Sequence, residues 1–255
     1  MTPARCCVLI PVYNHAGAIA ATCEGIRREL GVPLLLVDDG SDADCRAVLE
    51  SLAEADDITL VHLPVNRGKG AAVKAGLAEA ERQGFTHALQ VDADGQHDPA
   101  DLPAFVADLA ADDARLRIGY PRFDDSVPRH RYYARYLTHG LVWLDTLSFA
   151  LRDTMCGVKL FPVAATRRLI ARHPCGERMQ FDTELPVRWV WAGREVINLP
   201  VRVHYPLDGV SHFAMGRDNA LLVLMHLKLF AGLLWRLPRL LRRRFAGQSP
   251  GGRST

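Results

Sequence analysis

The six cysteines, Cys6, Cys7, Cys23, Cys45, Cys156 and Cys175, form no Cys-x-x-Cys pair and show no zinc-ligand spacing. That excludes a zinc ribbon and a thioredoxin-type dithiol, and leaves reduced thiols of a cytoplasmic protein as the expectation. A strong charge of one sign is also missing. A net charge of +2 excludes a nucleic-acid binder acting through overall charge. The N-terminus lacks a signal-like apolar stretch and cleavage site, because a strand pattern begins within seven residues, so no secretory leader is expected. No internal repeat and no long linker is seen. The chain is nevertheless 49% hydrophobic over 255 residues, enough for a sizeable core in one large domain.

What is there alternates. Apolar runs at 7–12, 33–37, 58–63 and 87–91 read as strands, and the segments 16–30, 42–55, 69–83 and 99–110 as helices between or after them. The run Pro33–Val37 has no polar alternation, which suggests burial on both faces. Strand–helix alternation at this spacing predicts a Rossmann-like α/β fold, a mostly parallel sheet flanked by helices. Further on, 121–135 is polar, basic and aromatic and reads as a loop leading into a helix over 132–151. A strand at 157–161, a helix at 181–191 and a strand pair over 195–205 broken at Pro200 follow. The expected division is a main domain over 1–215, a helical extension over 216–246 that is apolar and basic, and a Pro/Gly/Ser-rich disordered tail over 247–255.

In such sheets ligands bind beyond the carboxyl ends of the strands, and polar residues gather at four of those ends. Asp92 and Asp94 stand two apart where a strand stops, so both can point the same way. Two hard oxygen ligands with an open face suit Mg²⁺ or Mn²⁺ sharing its shell with a substrate diphosphate; alone, an Asp-x-Asp is more often a turn or cap. Asp39 can accept hydrogen bonds from a base or ribose, while Ser41 or Asp42 caps the following helix. Gly68 and Gly70 allow close backbone approach around the cation Lys69; the plainer alternative is a solvated turn. Tyr13 offers an aromatic plate, or simply packing. Asp182 and Glu184 are either a catalytic base or the acidic first turn of a helix.

Four ordered motifs carry a resemblance: Pro11-Val12-Tyr13-Asn14, Val37-Asp38-Asp39-Gly40-Ser41, Asn66-Arg67-Gly68-Lys69-Gly70 and Asp92-Ala93-Asp94-Gly95-Gln96-His97. Together they resemble the family 2 glycosyltransferases of GT-A fold. The block Arg152–Phe161 and Phe181-Asp182-Thr183-Glu184-Leu185 resemble the dolichyl- and polyprenyl-phosphate sugar transferase branch. The resemblance covers about residues 8–212. It implies that Pro11, Tyr13, Asp39 and Lys69 frame the base of a nucleotide diphosphate sugar, UDP- or GDP-linked. It further implies that Asp92 reaches the ribose or the metal, that Asp94 is the main metal ligand and that Gln96 is a further contributor. Arg122, Arg131 and Arg135 fall where loop arginines of the family meet donor or acceptor phosphates. Asp182 is preferred over Glu184 as the base; with an anionic phosphate acceptor, either would position rather than abstract. Ser211 and His212 stand where relatives carry Gly-x-Ser-Lys, with His212 in place of the lysine. That weakens the grip on a phosphate acceptor and leaves the donor half intact. The expected activity is inverting, metal-dependent transfer of a single sugar to a lipid-linked or hydrophobic acceptor. The processive Gln-x-x-Arg-Trp is not formed at Arg188-Trp189, where Leu185 takes the Gln position.

The segment 219–235 is very apolar, contains His226 and Lys228, and precedes Arg236, Arg239, Arg242, Arg243 and Arg244. It suits a helix lying on the cytoplasmic face of a membrane, leucines down and arginines toward anionic headgroups. A core helix with a basic cap and a true span are the alternatives. Two other functional classes stay open: a non-catalytic nucleotide-sugar-binding or membrane scaffold protein, and a nucleotidyltransferase. The latter should carry a Gly-rich loop after the first strand, where Val12-Tyr13-Asn14-His15 stands instead.

Overall fold

The structure, a computed structural model, describes residues 4–123, 129–204 and 215–246. Its strands are β1 (Cys6–Val12), β2 (Leu34–Asp38), β3 (Ile58–His62), β4 (His87–Gln90), β5 (Leu116–Phe123), β6 (Lys159–Pro162) and β7 (Val196–Val203). They form one sheet in the order β3-β2-β1-β4-β6-β5-β7, in which β6 runs against both neighbours and the remaining pairs are parallel. The helices are α1 (Ala16–Glu29), α2 (Ala43–Leu52), α3 (Lys69–Arg82), α4 (Pro103–Val106), α5 (Arg129–Thr146), α6 (Val163–Arg172), α7 (Phe181–Trp191) and α8 (Met215–Ala246).

The two-residue period of β1 divides the core. Cys7 and Leu9 face α3, α6 and α7, with Leu77, Leu169, Phe181 and Trp189 in that layer. Val8 and Ile10 face α1 and α2, with Ile19, Ile26 and Leu49 opposite. All five residues of β2 are buried, as its unbroken apolar run implies.

Some elements depart from the sequence reading. β5 went unread because Arg117, Pro121 and Arg122 interrupt its apolar pattern. Arg117 is tolerated inside because it donates to Phe105 O at 3.1 Å and Ala107 O at 2.9 Å and pairs with Asp113 at 2.9 Å. The helix expected over 99–110 is only a 3₁₀ turn, Pro99–Asp101, and the single turn α4, because Ala107 is extended. α6 was not anticipated at all. β7 runs unbroken through Pro200; it is the edge strand of the sheet, paired with β5 and bridged on its other side at Val203 to His97, so the missing N–H at Pro200 is admissible. Of the loop expected over 121–135, β5 takes residues up to Phe123 and α5 those from Arg129; 124–128 lie outside the described residues.

The C-terminal helix α8 packs on α5 and α7 along one stripe, burying Met225, Leu229 and Leu233. Its opposite side carries exposed Val223, Leu224, Leu227, Phe230, Leu234 and Trp235. Residues Gly216–Pro238 are long and apolar enough to cross a membrane by length and composition. The six thiols are unpaired. Burial pushes Cys23 up to about 11, and Cys6, Cys156 and Cys175 up to about 12.

These two faces of α8 predict opposite outcomes for neighbouring leucines. Leu229→Ala leaves a cavity at a fully buried position and should cost about 2–4 kcal/mol in urea unfolding. Leu227→Ala, at a position 62% exposed, should stay within about 0.5 kcal/mol. Equal losses would contradict the packing described.

Candidate functional site

From β1 the sheet is extended on one side by β2 and β3 and on the other by β4, so the order reverses at β1. The crevice at such a reversal, beyond the carboxyl ends of the strands, is where an α/β sheet takes its ligand. The residues after β1, β2, β3 and β4 meet there, joined by the start of β6 and by α7.

Of the two aspartates at the end of β2, Asp38 is structural. It is fully buried, accepts from Ser41 N at 2.8 Å and lies 3.0 Å from His62 Nδ1. Burial raises its pKa, but the bonds from Ser41 and His62 outweigh that and lower it. Asp42 caps α2 by accepting from Cys45 N at 2.9 Å. Asp39 points the other way, into the loop before α3. Its Oδ1 accepts from Arg67 N at 2.9 Å, and its Oδ2 from Gly68 N at 2.7 Å and Asn66 Nδ2 at 3.1 Å. Burial pushes its pKa up, partly offset by those backbone donors. Gly68 has φ +108°, and a Cβ there would fall 2.8 Å from Glu177 O. The close approach permitted by Gly68 and Gly70 is therefore to the chain's own 176–181 segment; Ala71 N donates to Glu177 O at 2.8 Å.

Asp39, Tyr13, Asn66, Gly68 and Lys69 line a cavity of about 360 Å³, completed by Arg178, Met179, Arg217 and Asp218. At its border Lys69 Nζ lies 2.7 Å from Asp92 Oδ1 and 2.9 Å from Asp182 Oδ2. The other oxygen of Asp182 meets Lys159 Nζ at 2.6 Å, and Lys159 also donates to Cys156 O at 2.8 Å. Charges thus alternate Asp92, Lys69, Asp182, Lys159. Burial raises Asp92, but Lys69, with His97 and Lys159 adding to it, brings the carboxyl down to about 2. Burial opposes the charge on Lys69, and Asp182 and Asp92 together outweigh it and raise its pKa. Gly157 leaves the room that the Asp92 carboxylate occupies; a Cβ there would overlap it.

Asp94 follows on the turn, its Oδ1 accepting from Gln96 N at 3.1 Å. Burial and then the charge of Asp92 push its pKa up. A divalent cation would relieve that repulsion, and carboxylate oxygens are the right donors for Mg²⁺ or Mn²⁺. Among the described residues no group of three or more His, Cys, Asp or Glu could hold a metal ion. The donors fit a metal that takes few protein oxygens and completes its shell from a ligand and water.

The remaining sequence-based candidates scatter. Pro11 sits half-buried near the end of β1, in register with Val37. Glu184, two residues beyond Asp182 on α7, faces away from Lys69. It accepts from Arg188 Nη2 at 2.6 Å, Gly176 N at 2.7 Å and Lys228 Nζ of α8 at 3.1 Å, and so clamps α8 to α7. Burial raises its pKa, but these donors outweigh it and lower it. Arg135 is held by Asp153, with Nη2 2.9 Å from Oδ1, alongside His139 at 2.9 Å. Arg122 is exposed near the end of β5, where its charge acts on Asp101. Arg131 falls in the first turn of α5; Ser211 and His212 lie outside the described residues.

Lys159 and Arg178 joined the site without having been singled out. A lysine inside the apolar run Val158–Phe161 was a legible signal, because a lysine is almost never fully buried unless paired. Arg178 lies in a loop with no periodicity to flag it.

The fold places the chain in a class. It superposes on glucosyl-3-phosphoglycerate synthase from Mycobacterium tuberculosis in complex with UDP, with a TM-score of 0.63, 21% identity, and coverage of 89% of this chain and 80% of that one. The architecture is GT-A-like, as the resemblance of the four motifs implied. The sequence then gives the family: residues 7–176 match Glycosyl transferase family 2, to which the chain belongs. It is similar to a dolichyl-phosphate beta-glucosyltransferase of Drosophila melanogaster, 30% identical over 201 residues covering 70% of this chain and 60% of that protein. It is also similar to a polyprenol monophosphomannose synthase of Mycolicibacterium smegmatis, 32% identical over 219 residues covering 81% and 80%. The chain thus spans three fifths of the fly protein's length.

The charge chain makes a pH-dependent prediction. The pKa of Asp92 is lower in the folded state than its ordinary value near 4, so its pairing with Lys69 stabilises fully above about pH 4 and is lost as pH falls toward 2. Lys69→Met should therefore cost on the order of 3 kcal/mol at pH 7, by stranding half-buried charge. The gap to wild type, read from urea midpoints, should narrow toward pH 3. A gap independent of pH would sink the assignment.

Proposed function

We propose that the chain transfers a single sugar, with inversion, from a nucleotide diphosphate sugar to a lipid-linked or hydrophobic acceptor at a membrane surface. The observation that carries this is the position of Lys69, bridging Asp92 and Asp182 at the border of a cavity walled by Tyr13 and Asp39. The nucleoside occupies the cavity, and the diphosphate extends toward Asp92 and Asp94. Those carboxylates, with Gln96 nearby, hold Mg²⁺ or Mn²⁺. The metal's chemistry is to neutralise charge on the departing nucleotide diphosphate.

This chain's own residues position the reactants. Asp182 has one oxygen against Lys69 and the other against Lys159. With both oxygens already engaged by ammonium groups, Asp182 serves as a positioning residue, the more so for an acceptor that is already anionic. Acceleration then comes from proximity and electrostatic preorganisation rather than from proton abstraction. Relatives whose names specify dolichyl phosphate or polyprenol support a lipid-phosphate acceptor. The structurally similar synthase bound to Mn²⁺ and UDP supports the donor and metal.

The exposed apolar face of α8 supports peripheral contact with the cytoplasmic side of a membrane. Arg239 and Arg242–Arg244 follow that face in the sequence and suit anionic headgroups.

Two measurements test the reading. Purified protein given Mg²⁺ or Mn²⁺, a panel of UDP-, GDP- and dTDP-sugars and polyprenyl phosphate in detergent should release nucleotide diphosphate with one donor. Asp94→Ala should lower that release by ~100-fold or more, the several kcal/mol that leaving-group stabilisation supplies. Release insensitive to Asp94 would contradict the metal assignment, and no release with any donor would favour a binding or scaffold role. In flotation, the protein should rise with vesicles containing anionic lipid, and Leu227→Asp/Trp235→Asp should leave it in the soluble fraction. Equal flotation of both would overturn the membrane contact.

A further inference from the structure

Asp39 has a limited hydrogen-bonding capacity, and the chain uses most of it. An ionised carboxylate offers about four lone-pair positions, two on each oxygen. Oδ2 accepts from Gly68 N and Asn66 Nδ2, and Oδ1 accepts from Arg67 N alone. Three of the roughly four positions are taken, and the one left is on Oδ1.

The occupied positions are locked. Arg178 Nη1 donates to Asn66 Oδ1 at 3.1 Å. A guanidinium only donates and a carboxylate only accepts, so the amide between them has a single orientation, with its NH₂ turned to Asp39. Gly68, which supplies one of these N–H groups, lies tightly against the 177–178 backbone: a Cβ there would fall 2.8 Å from Glu177 O and 2.9 Å from Arg178 Cα. Arg178 has further N–H groups, lines the same cavity and acts electrostatically on Asp39.

The edges of the bases differ in what they ask of such a group. Guanine presents two adjacent donors, N1–H and the 2-amino group, which pair with both oxygens of a carboxylate. Uracil and thymine present one donor, N3–H, flanked by carbonyl oxygens. Adenine and cytosine present a bare ring nitrogen, which a carboxylate repels. One vacancy on Oδ1 beside a guanidinium matches the single donor and a flanking carbonyl. Guanine's amino group would meet an Oδ2 already full and the NH₂ of Asn66.

We propose that the relay Arg178–Asn66–Asp39 makes the nucleotide pocket selective for a pyrimidine imide, uracil or thymine, over guanine. Arg178 and Asn66 are then its specificity-determining residues. The inference rests on the donor-site reading above and deepens it by naming the base.

Calorimetric titration of the full chain in Mg²⁺ buffer with UDP, inosine diphosphate (IDP) and GDP tests it. IDP is the discriminating probe, because it has the purine size of GDP but lacks the 2-amino group. The expected order is UDP tightest and GDP weakest, by ~10- to 100-fold, the loss expected when a buried polar group is left unpaired. IDP should bind more tightly than GDP. Asn66→Ala frees Oδ2 and should bring GDP to within about threefold of IDP. Arg178→Met, which releases the amide from its other end, should do the same and serves if Asn66→Ala does not fold. GDP binding as tightly as UDP, IDP no tighter than GDP, or an unchanged gap in a folded variant overturns the base selection alone. Binding of none of the three overturns the donor-site reading, and this inference with it.

Discussion

The geometry of the site depends on one ammonium group. Lys69 opens α3, and its Nζ sits between Asp92 at the end of β4 and Asp182 on α7. Without that positive charge the carboxylates of Asp92 and Asp182 would face each other across the crevice with nothing to offset their repulsion. With it, the carboxyl of Asp92 is held down to about 2, and Asp182 lies between Lys69 at 2.9 Å and Lys159 at 2.6 Å. The pairing also ties three elements that share no sequence neighbourhood: the loop after β3, the end of β4 and the start of α7. Local glycines make it possible, since Gly68 and Gly70 let segment 176–181 lie against the start of α3, and Gly157 leaves space for Asp92.

The site is therefore built from two adjoining parts with different chemistry. One is the cavity beside Asp39, where backbone N–H groups and an amide have settled most of the polar demands before any ligand arrives. The other is the carboxylate turn at Asp92–Asp94, where mutual repulsion leaves a demand unmet. A ligand with a flat polar end and an anionic middle satisfies both, with Lys69 at the junction. α7 separates this chemistry from the support of α8: Asp182 faces the crevice, whereas Glu184, rotated away, anchors Lys228.

The first half of the fold was legible because β2 and β4 are buried throughout and β1 nearly so, and its longer helices carry a 3.6-residue apolar stripe, the patterns that periodicity reads well. Asp39, Lys69, Asp92 and Asp94 stood out together: each alone has a plainer reading as a turn or cap, but polar residues gathered after several apolar strands of one sheet are hard to explain as packing. Legibility failed where tertiary partners override local pattern. β5 hides behind Arg117, whose charge is met by the carbonyls of Phe105 and Ala107 and by Asp113 four residues earlier. β7 reads as broken at Pro200, because sequence does not reveal which strand will be an edge. Glu184 and Asp182 look equivalent in sequence, and only the facing of a helix separates an anchor from a member of the site. Arg178 was invisible, since its value comes from Asn66, over a hundred residues away in the chain.

The thiols have a practical consequence. At pH 7 a thiol whose pKa is near 11 to 12 is ionised in roughly one molecule in 10⁴ to 10⁵, and the thiolate is the reactive species. Cys7, Cys23, Cys45, Cys156 and Cys175 are also buried, which shields them from alkylating probes while the chain is folded. A single cysteine introduced on the outer face of α8 could be derivatised with a fluorophore against almost no background, which turns this otherwise inconvenient composition into a ready scaffold for optical readout.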